Sequence, residues 1–272
     1  MYVSPGHNGS IGVFDSGIGG LSVANAISGL LPRESLLYVA DTGYAPYGAR
    51  TDAEVARYSR AITDFLLEAG VKLVVVACNT ATAIAIDGLR AAYPEVDFVG
   101  LEPAVKPAAA GSDIGVMATA VTLRSPRYLA LKEKYLAGRS VWENPCTDLV
   151  PLIETYGPGS VEVRHYLEEL LAAAGDLDTV VLGCTHYPLV ANDIRSVLPG
   201  EARIIDPSMA AARQVQRLLD RRGTRAASAG TPAPRHDFYS TGKTAALQRT
   251  LLTLPLLNAG RRWVVPDLRI DR

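Results

Sequence analysis

The sequence predicts an α/β fold of two pseudo-symmetric, doubly wound domains, each on a mostly parallel sheet, with a functional cleft between them. Two observations predict it. First, short runs of Val, Leu and Ile alternate with longer amphipathic or Ala-rich stretches. Continuous apolar strands separated by helical segments are the pattern of a parallel sheet covered on both faces. Second, the pattern repeats. IGVFDSG (11–17) resembles IGVMATA (114–120), and KLVVVACNTA (72–81) resembles DTVVLGCTHY (178–187), at offsets of 103 and 106 residues.

The expected strands are 11–15, 36–40, 73–77, 97–100, 114–118, 179–183 and 202–205. Long helical stretches fall at 51–70 and 160–175, and GTRAASAGTPAPR (223–235), small, polar and Pro-containing, reads as a mobile loop. The repeat divides the chain into one domain of residues 1–98 plus 207–272 and another of 99–206, because the C-terminal stretch is too short for a third.

Composition narrows the class. A chain of 272 residues suits two domains, and 48% hydrophobic residues are enough to fill their cores. Lys and Arg number 27 against 28 Asp and Glu, with no long run of one sign, so neither nucleic acid nor an anionic membrane is an expected partner. The opening MYVSPGHNGS lacks the apolar segment of a secretory signal, and no run of about 18 apolar residues exists to span a bilayer. Three Cys without CxxC spacing are no disulfide framework. The expectation is a cytosolic protein with reduced thiols. Oligomeric state is left open, with a homodimer one option.

Cys78 and Cys184 occupy matching places in the repeat, each after an apolar strand and before a Thr-containing helix start. The null is that cysteine is a common small buried residue; the matching places and the polar neighbours Asn79, Thr80, Thr185 and His186 favour function. Ligands of open α/β sheets bind past the carboxyl ends of the strands, where both cysteines fall. A helix N-terminus there lowers a thiol pKa and attracts carboxylate. Two thiols across a cleft suit one chemistry: inverting a stereocentre needs a base on one face and a proton donor on the other. A free thiol pKa near 8.5 needs only a modest shift to serve in both roles.

Asp15, Glu154 and His186 lie near enough in the pattern to relay a proton or to hold a thiol in one state, although Asp15 also suits a helix cap and Glu154 a solvated helix end. The turn DSGIGG approaches a dinucleotide fingerprint but has Ser22 where the third Gly belongs, and STGKT (240–244) lacks the first Gly of a P-loop. Tight backbone approach to a small substrate explains these glycines as well. The Cys and His positions show no paired metal-ligand spacing, so no metal is expected.

Five ordered motifs, IGVFDSGIGGLSV, ADTGYAPYG, VVVACNTATA, LVPLIE and VVLGCTHYPLV, resemble those of glutamate racemases in the aspartate/glutamate racemase superfamily. The resemblance runs from Ile11 to about Gln216 and resumes at HDFYSTGK. It implies an enzyme that interconverts L- and D-glutamate without pyridoxal phosphate, metal or nucleotide, supplying D-glutamate for peptidoglycan. It implies Cys78 and Cys184 as the catalytic pair, assisted by Asp15, Glu154 and His186. Asp15, Ser16, Tyr47, Gly48, Asn79, Thr80, Thr185 and His186 match positions that hold the substrate's ammonium and carboxylates. The stretch MATAVTLRS (117–125) lacks a Glu often found there. Rival readings are a related racemase for aspartate or another small acid, against which His186 in GCTHYPL argues, a two-thiol redox protein, and a binding module that has lost its chemistry.

Overall fold

The computed structural model describes residues 9–198, 200–226, 233–258 and 261–267. The first eight residues and 227–232, which include most of the polar opening and part of the expected loop, lie outside them.

Among the described residues, ten strands form two all-parallel sheets. The first contains β1 (Ile11–Asp15), β2 (Leu36–Ala40), β3 (Leu73–Val76) and β4 (Phe98–Gly100). The second contains β5 (Ile114–Met117), β6 (Val141–Asn144), β7 (Thr179–Leu182) and β8 (Arg203–Ile205). The chain then returns to the first sheet with β9 (His236–Ser240) and β10 (Arg261–Asp267), giving the orders β10-β9-β2-β1-β3-β4 and β6-β5-β7-β8. Within each sheet the first four strands in chain order share the arrangement second, first, third, fourth, so the weak sequence repeat is a repeat of topology.

The seven expected strands form, each within one residue of the expected bounds. Three strands were not expected, and two of them share a cause. β6 (VWEN) is an edge strand whose every residue is half-buried, and β9 (HDFYS) alternates buried and half-buried positions. Neither has the continuous apolar run that marks β1, β2 and β3, which are buried along their whole length. β10 lies at the sheet's edge.

The long helices form where expected. Asp52–Glu68 is opened by a capping box in which Thr51 Oγ1 accepts from the Glu54 N–H at 3.3 Å and Glu54 accepts from the Thr51 N–H at 2.9 Å. Val161–Ala172 starts at Ser160, which accepts from the Val163 N–H at 3.4 Å. The returning helix Ser208–Arg222 packs on Leu21–Leu30 of the first unit. Among the described residues no helix is long and apolar enough to cross a membrane.

Two buried polar groups tie this frame together. Lys72 forms an ion pair with Glu34, with side chains 1% and 4% exposed, and also donates to the Thr224 carbonyl at 2.9 Å. His236, at the start of β9, meets Ser28 Oγ at 3.3 Å through Nε2 while its Nδ1 has no partner. Burial lowers its pKa from the usual 6.5, with Asp237 opposing. The native state therefore holds His236 neutral at a pH where the unfolded chain takes up a proton. Its contribution is fully present above about pH 6.5 and is lost as pH falls toward the depressed folded value. Thermal unfolding between pH 7.5 and 5 should show a loss from this group, bounded by ~1.4 kcal/mol per pH unit, which His236→Gln removes. An identical slope in the variant refutes the assignment.

Candidate active site

Both sheets have their topological switch point beside their first strand, where neighbouring connections leave in opposite directions and a crevice opens at the carboxyl ends. β1 ends at Asp15 and β3 leads to Cys78. In the second sheet β5 leads to Thr119 and β7 to Cys184. The two crevices face each other. One cavity is lined by Ser16, Tyr47, Gly48, Cys78, Asn79 and Thr80 from the first unit and by Thr119, Cys184, Thr185 and His186 from the second.

Paired bonds cross this cleft. Thr185 Oγ1 donates to Asp15 Oδ2 at 2.9 Å, and the hydroxyls of Thr80 and Thr119 lie 3.0 Å apart. Each joins the segment after one sheet's cysteine to the end of the other sheet's first strand. The bonds are related by the repeat, although their chemistry differs.

Cys78 caps the helix Asn79–Ala92, its sulfur accepting from the Ala81 N–H at 3.4 Å with Ser16 Oγ at 3.9 Å. The expected lowering of its pKa does not occur. Burial, reinforced by the Asp15 charge, pushes the thiol well above its usual range, and the Ala81 N–H offsets only part of this. Asp15 is itself raised by burial, against the pull of His186, Gly17 and Thr185. Its carboxylate accepts from the Gly17 N–H at 2.7 Å and from Thr185, so it acts on Cys78 through charge and not through a direct hydrogen bond.

On the other side the groups form a chain. Cys184 Sγ lies 3.9 Å from His186 Nδ1, and His186 Nε2 lies 2.8 Å from Glu154 Oε1. Burial alone lowers the imidazole pKa, but Cys184 and Glu154 outweigh it and carry His186 well above 6.5. Burial likewise works to raise Glu154, and His186 reverses the sign, leaving its carboxylate below the usual value. Cys184 and Glu154 therefore favour the protonated form of His186 beside the Cys184 sulfur. The segment after Cys184 does not start an α-helix as expected; Tyr187–Val190 is a 3-10 turn leading to Ala191–Val197. The third cysteine, Cys146, lines a neighbouring cavity, with its thiol pushed up to about 12 by burial.

The DSGIGG turn serves the opposite unit more than a ligand. A Cβ on Gly17 would overlap the Glu154 carboxylate, and one on Gly19 would overlap the His186 ring. Glu154 Oε1 also accepts from the Ile18 N–H at 3.2 Å. Bare backbone is what allows Glu154 and His186 to close onto β1's end.

The structure brings Cys78, Cys184, Asp15, Glu154 and His186 into one cluster, with Ser16, Tyr47, Gly48, Asn79, Thr80 and Thr185 around the same cavity. Asn79 is 3% exposed and neither atom of its amide has a partner, a cost of about 1–3 kcal/mol per group that a polar ligand would relieve. Thr119 and Val150 also line the cavity and were not anticipated. The repeat held the signal for Thr119, since aligning IGVMATA on IGVFDSG sets it over Ser16. Among the described residues no group of three His, Cys, Asp or Glu is placed to hold a metal.

Residues 20–215 match the Asp/Glu/Hydantoin racemase family. The chain belongs to that family. A glutamate racemase of Pseudomonas syringae pv. tomato is 48% identical over 228 residues, covering 81% of this chain and 82% of its own length. The Francisella tularensis glutamate racemase solved with D-glutamate superposes with a TM-score of 0.81 at 28% identity, over 97% of this chain and 99% of that one. The Escherichia coli glutamate racemase solved with L-glutamate and an activator gives a TM-score of 0.82 at 30% identity, over 95% and 97%. The family assignment and the two-sheet fold agree: the paired cysteines lie at equivalent strand ends of a duplicated α/β unit.

Proposed function

We propose that this racemase interconverts L-glutamate and D-glutamate by two-base proton transfer at the α-carbon, with Cys78 on one face and Cys184 on the other. The observation that carries it is two buried thiols at equivalent strand ends of repeated sheets, lining one cavity. Asp15 governs the charge around Cys78, and His186 with Glu154 supplies and recovers the proton at Cys184. Ser16, Tyr47, Gly48, Asn79, Thr80 and Thr185 hold the ammonium and the carboxylates, together with Asp15 and His186. Stabilising negative charge on the α-carboxylate side as the carbanion forms is the main electrostatic task of these donors. The product is D-glutamate for peptidoglycan, made in the cytoplasm.

We further propose that the halves move as two domains, with the first boundary placed just past Gly100 and not at the expected residue 98, so that β4 stays whole.

Incubating the purified protein with either enantiomer in D2O, without added cofactor, tests the reading. Optical rotation should decay to zero, with deuterium entering the product's α-position before it enters the remaining substrate. Turnover of aspartate in place of glutamate would move the specificity elsewhere in the family. Deuterium appearing equally fast in recovered substrate and product would reveal a single base. His186→Asn separates the two halves of the site. Because enantiomers have an equilibrium constant of one, kcat/KM must fall equally in both directions. The kcat values should diverge by about tenfold or more, the slower being the direction in which Cys184 removes the proton. Equal loss of both kcat values with binding intact would place His186 outside the relay.

A further inference from the structure

The C-terminal motif HDFYSTGK plays no part in the proton transfer, yet it ends against the loop that carries Tyr47 and Gly48. β9 runs parallel to β2 with Ser240 opposite Ala40, so residues 41–43 and 241–243 leave the sheet side by side. Thr241 Oγ1 donates to Asp41 Oδ1 at 2.6 Å, and Tyr47 OH donates to Asp41 Oδ2 at 2.5 Å. The Gly43 N–H donates to the same Thr241 hydroxyl at 3.2 Å, and the hydroxyls of Thr42 and Ser240 lie 2.6 Å apart. Asp41 is fully buried. The two turns also interlock: a Cβ on Gly43 would meet the Thr241 carbonyl at 2.8 Å, and one on Gly242 would meet the Gly43 nitrogen at 2.7 Å.

We propose that Thr241 is a positioning residue for substrate binding: through Asp41 it fixes Tyr47, and with it the Tyr47–Ala49 turn that walls the cavity. The physical reason is the sharing of one buried carboxylate. Its two oxygens each take a neutral hydroxyl, one from the substrate loop and one from the returning C-terminal strand. Removing the Thr241 hydroxyl takes one buried hydrogen bond from the Asp41 carboxylate. Asp41 then reorients toward the remaining donors, and the Tyr47 turn loses its fixed place. This proposal rests on the reading that Tyr47 and Gly48 hold substrate.

Thr241→Val and Thr241→Ser, with Tyr47→Phe and Gly48→Val, form the test, each checked first for a native circular dichroism spectrum. Thr241→Val should raise KM for glutamate about tenfold or more with kcat within about threefold, since a mobile binding wall weakens ground and transition states alike. Thr241→Ser, which keeps the hydroxyl, should restore both constants to within about twofold. The double variant Thr241→Val/Tyr47→Phe should be no more than about threefold worse in KM than the worse single, because both act through Asp41. An unchanged KM in folded Thr241→Val overturns the proposal, and so does a loss in Thr241→Ser equal to that in Thr241→Val, which would reflect packing. Should Thr241→Val not fold, Tyr47→Phe breaks the other half of the same carboxylate's pairing, and an unchanged KM there has the same meaning. Gly48→Val distinguishes the two levels. If it leaves KM unchanged, the substrate site itself is misassigned; if it raises KM while Thr241→Val does not, the site stands and the positioning role fails.

Discussion

Replacing either Cys78 or Cys184 by Ser is expected to slow racemisation by about a thousandfold or more while leaving the protein folded. Serine is nearly isosteric, and each sulfur already has polar neighbours that a hydroxyl can meet: Ser16 Oγ and the Ala81 N–H at Cys78, His186 at Cys184. The loss comes from acidity, because a serine hydroxyl is too weak an acid to serve as an equilibrated proton donor and base. A substrate analogue bearing chlorine on the β-carbon isolates the two halves. Loss of chloride after one proton abstraction needs one base only and is irreversible. Each single variant should therefore still eliminate chloride from one enantiomer, and the two variants should prefer opposite enantiomers. The same preference in both variants would mean one base working from one face, and the paired-thiol reading would fall.

Lys72→Met should destabilise the fold by about 3–5 kcal/mol, because it strands the buried Glu34 carboxylate without its cation. The Ala226 N–H still donates to Glu34 Oε1 at 2.8 Å, but one amide does not replace an ammonium inside the protein. For a chain of this size the midpoint of thermal unfolding should fall by roughly 10 °C. Adding Glu34→Leu should recover part of that loss by removing the orphaned charge. Recovery will be incomplete, since the Thr224 carbonyl and Ala226 amide lose their partners as well. Denaturant unfolding of the single and double variants decides it. A single-variant cost below about 1 kcal/mol would show that Glu34 reaches water at little expense.

Much of this architecture was legible because it follows from periodicity. Runs buried on both faces, such as LVVV in β3, leave a continuous apolar signature, and the repeat predicted two sheets facing through their cysteine-bearing ends. β6 and β9 escaped because a half-buried strand carries polar residues that break such a run. The candidate residues were readable in kind but not in partnership. Position alone set Asp15 near the thiols, whereas the fold ties it to Thr185 across the cleft. The thiol's electrostatics also ran opposite to expectation. A helix N-terminus lowers a pKa in water, but at Cys78 burial and a neighbouring carboxylate outweigh one amide dipole, and no linear pattern encodes depth. The glycines of DSGIGG are comparable: their spacing marked a tight turn, but what presses on it comes from more than a hundred residues away.

The cleft-crossing bonds have a consequence for timing. With Thr185 on Asp15 and Thr80 beside Thr119, the space between the thiols is about 20 Å³, room for roughly one water molecule. On the proposed reading, an amino acid with two carboxylates needs more room than that, and those hydroxyls are the contacts that would separate to admit it. The same groups that shut the site against solvent are the ones the substrate must win over, which makes the latch and the grip a single set of atoms. The proposed motion of the two halves then meters turnover, and added viscogen should slow kcat even where the proton transfers themselves are fast.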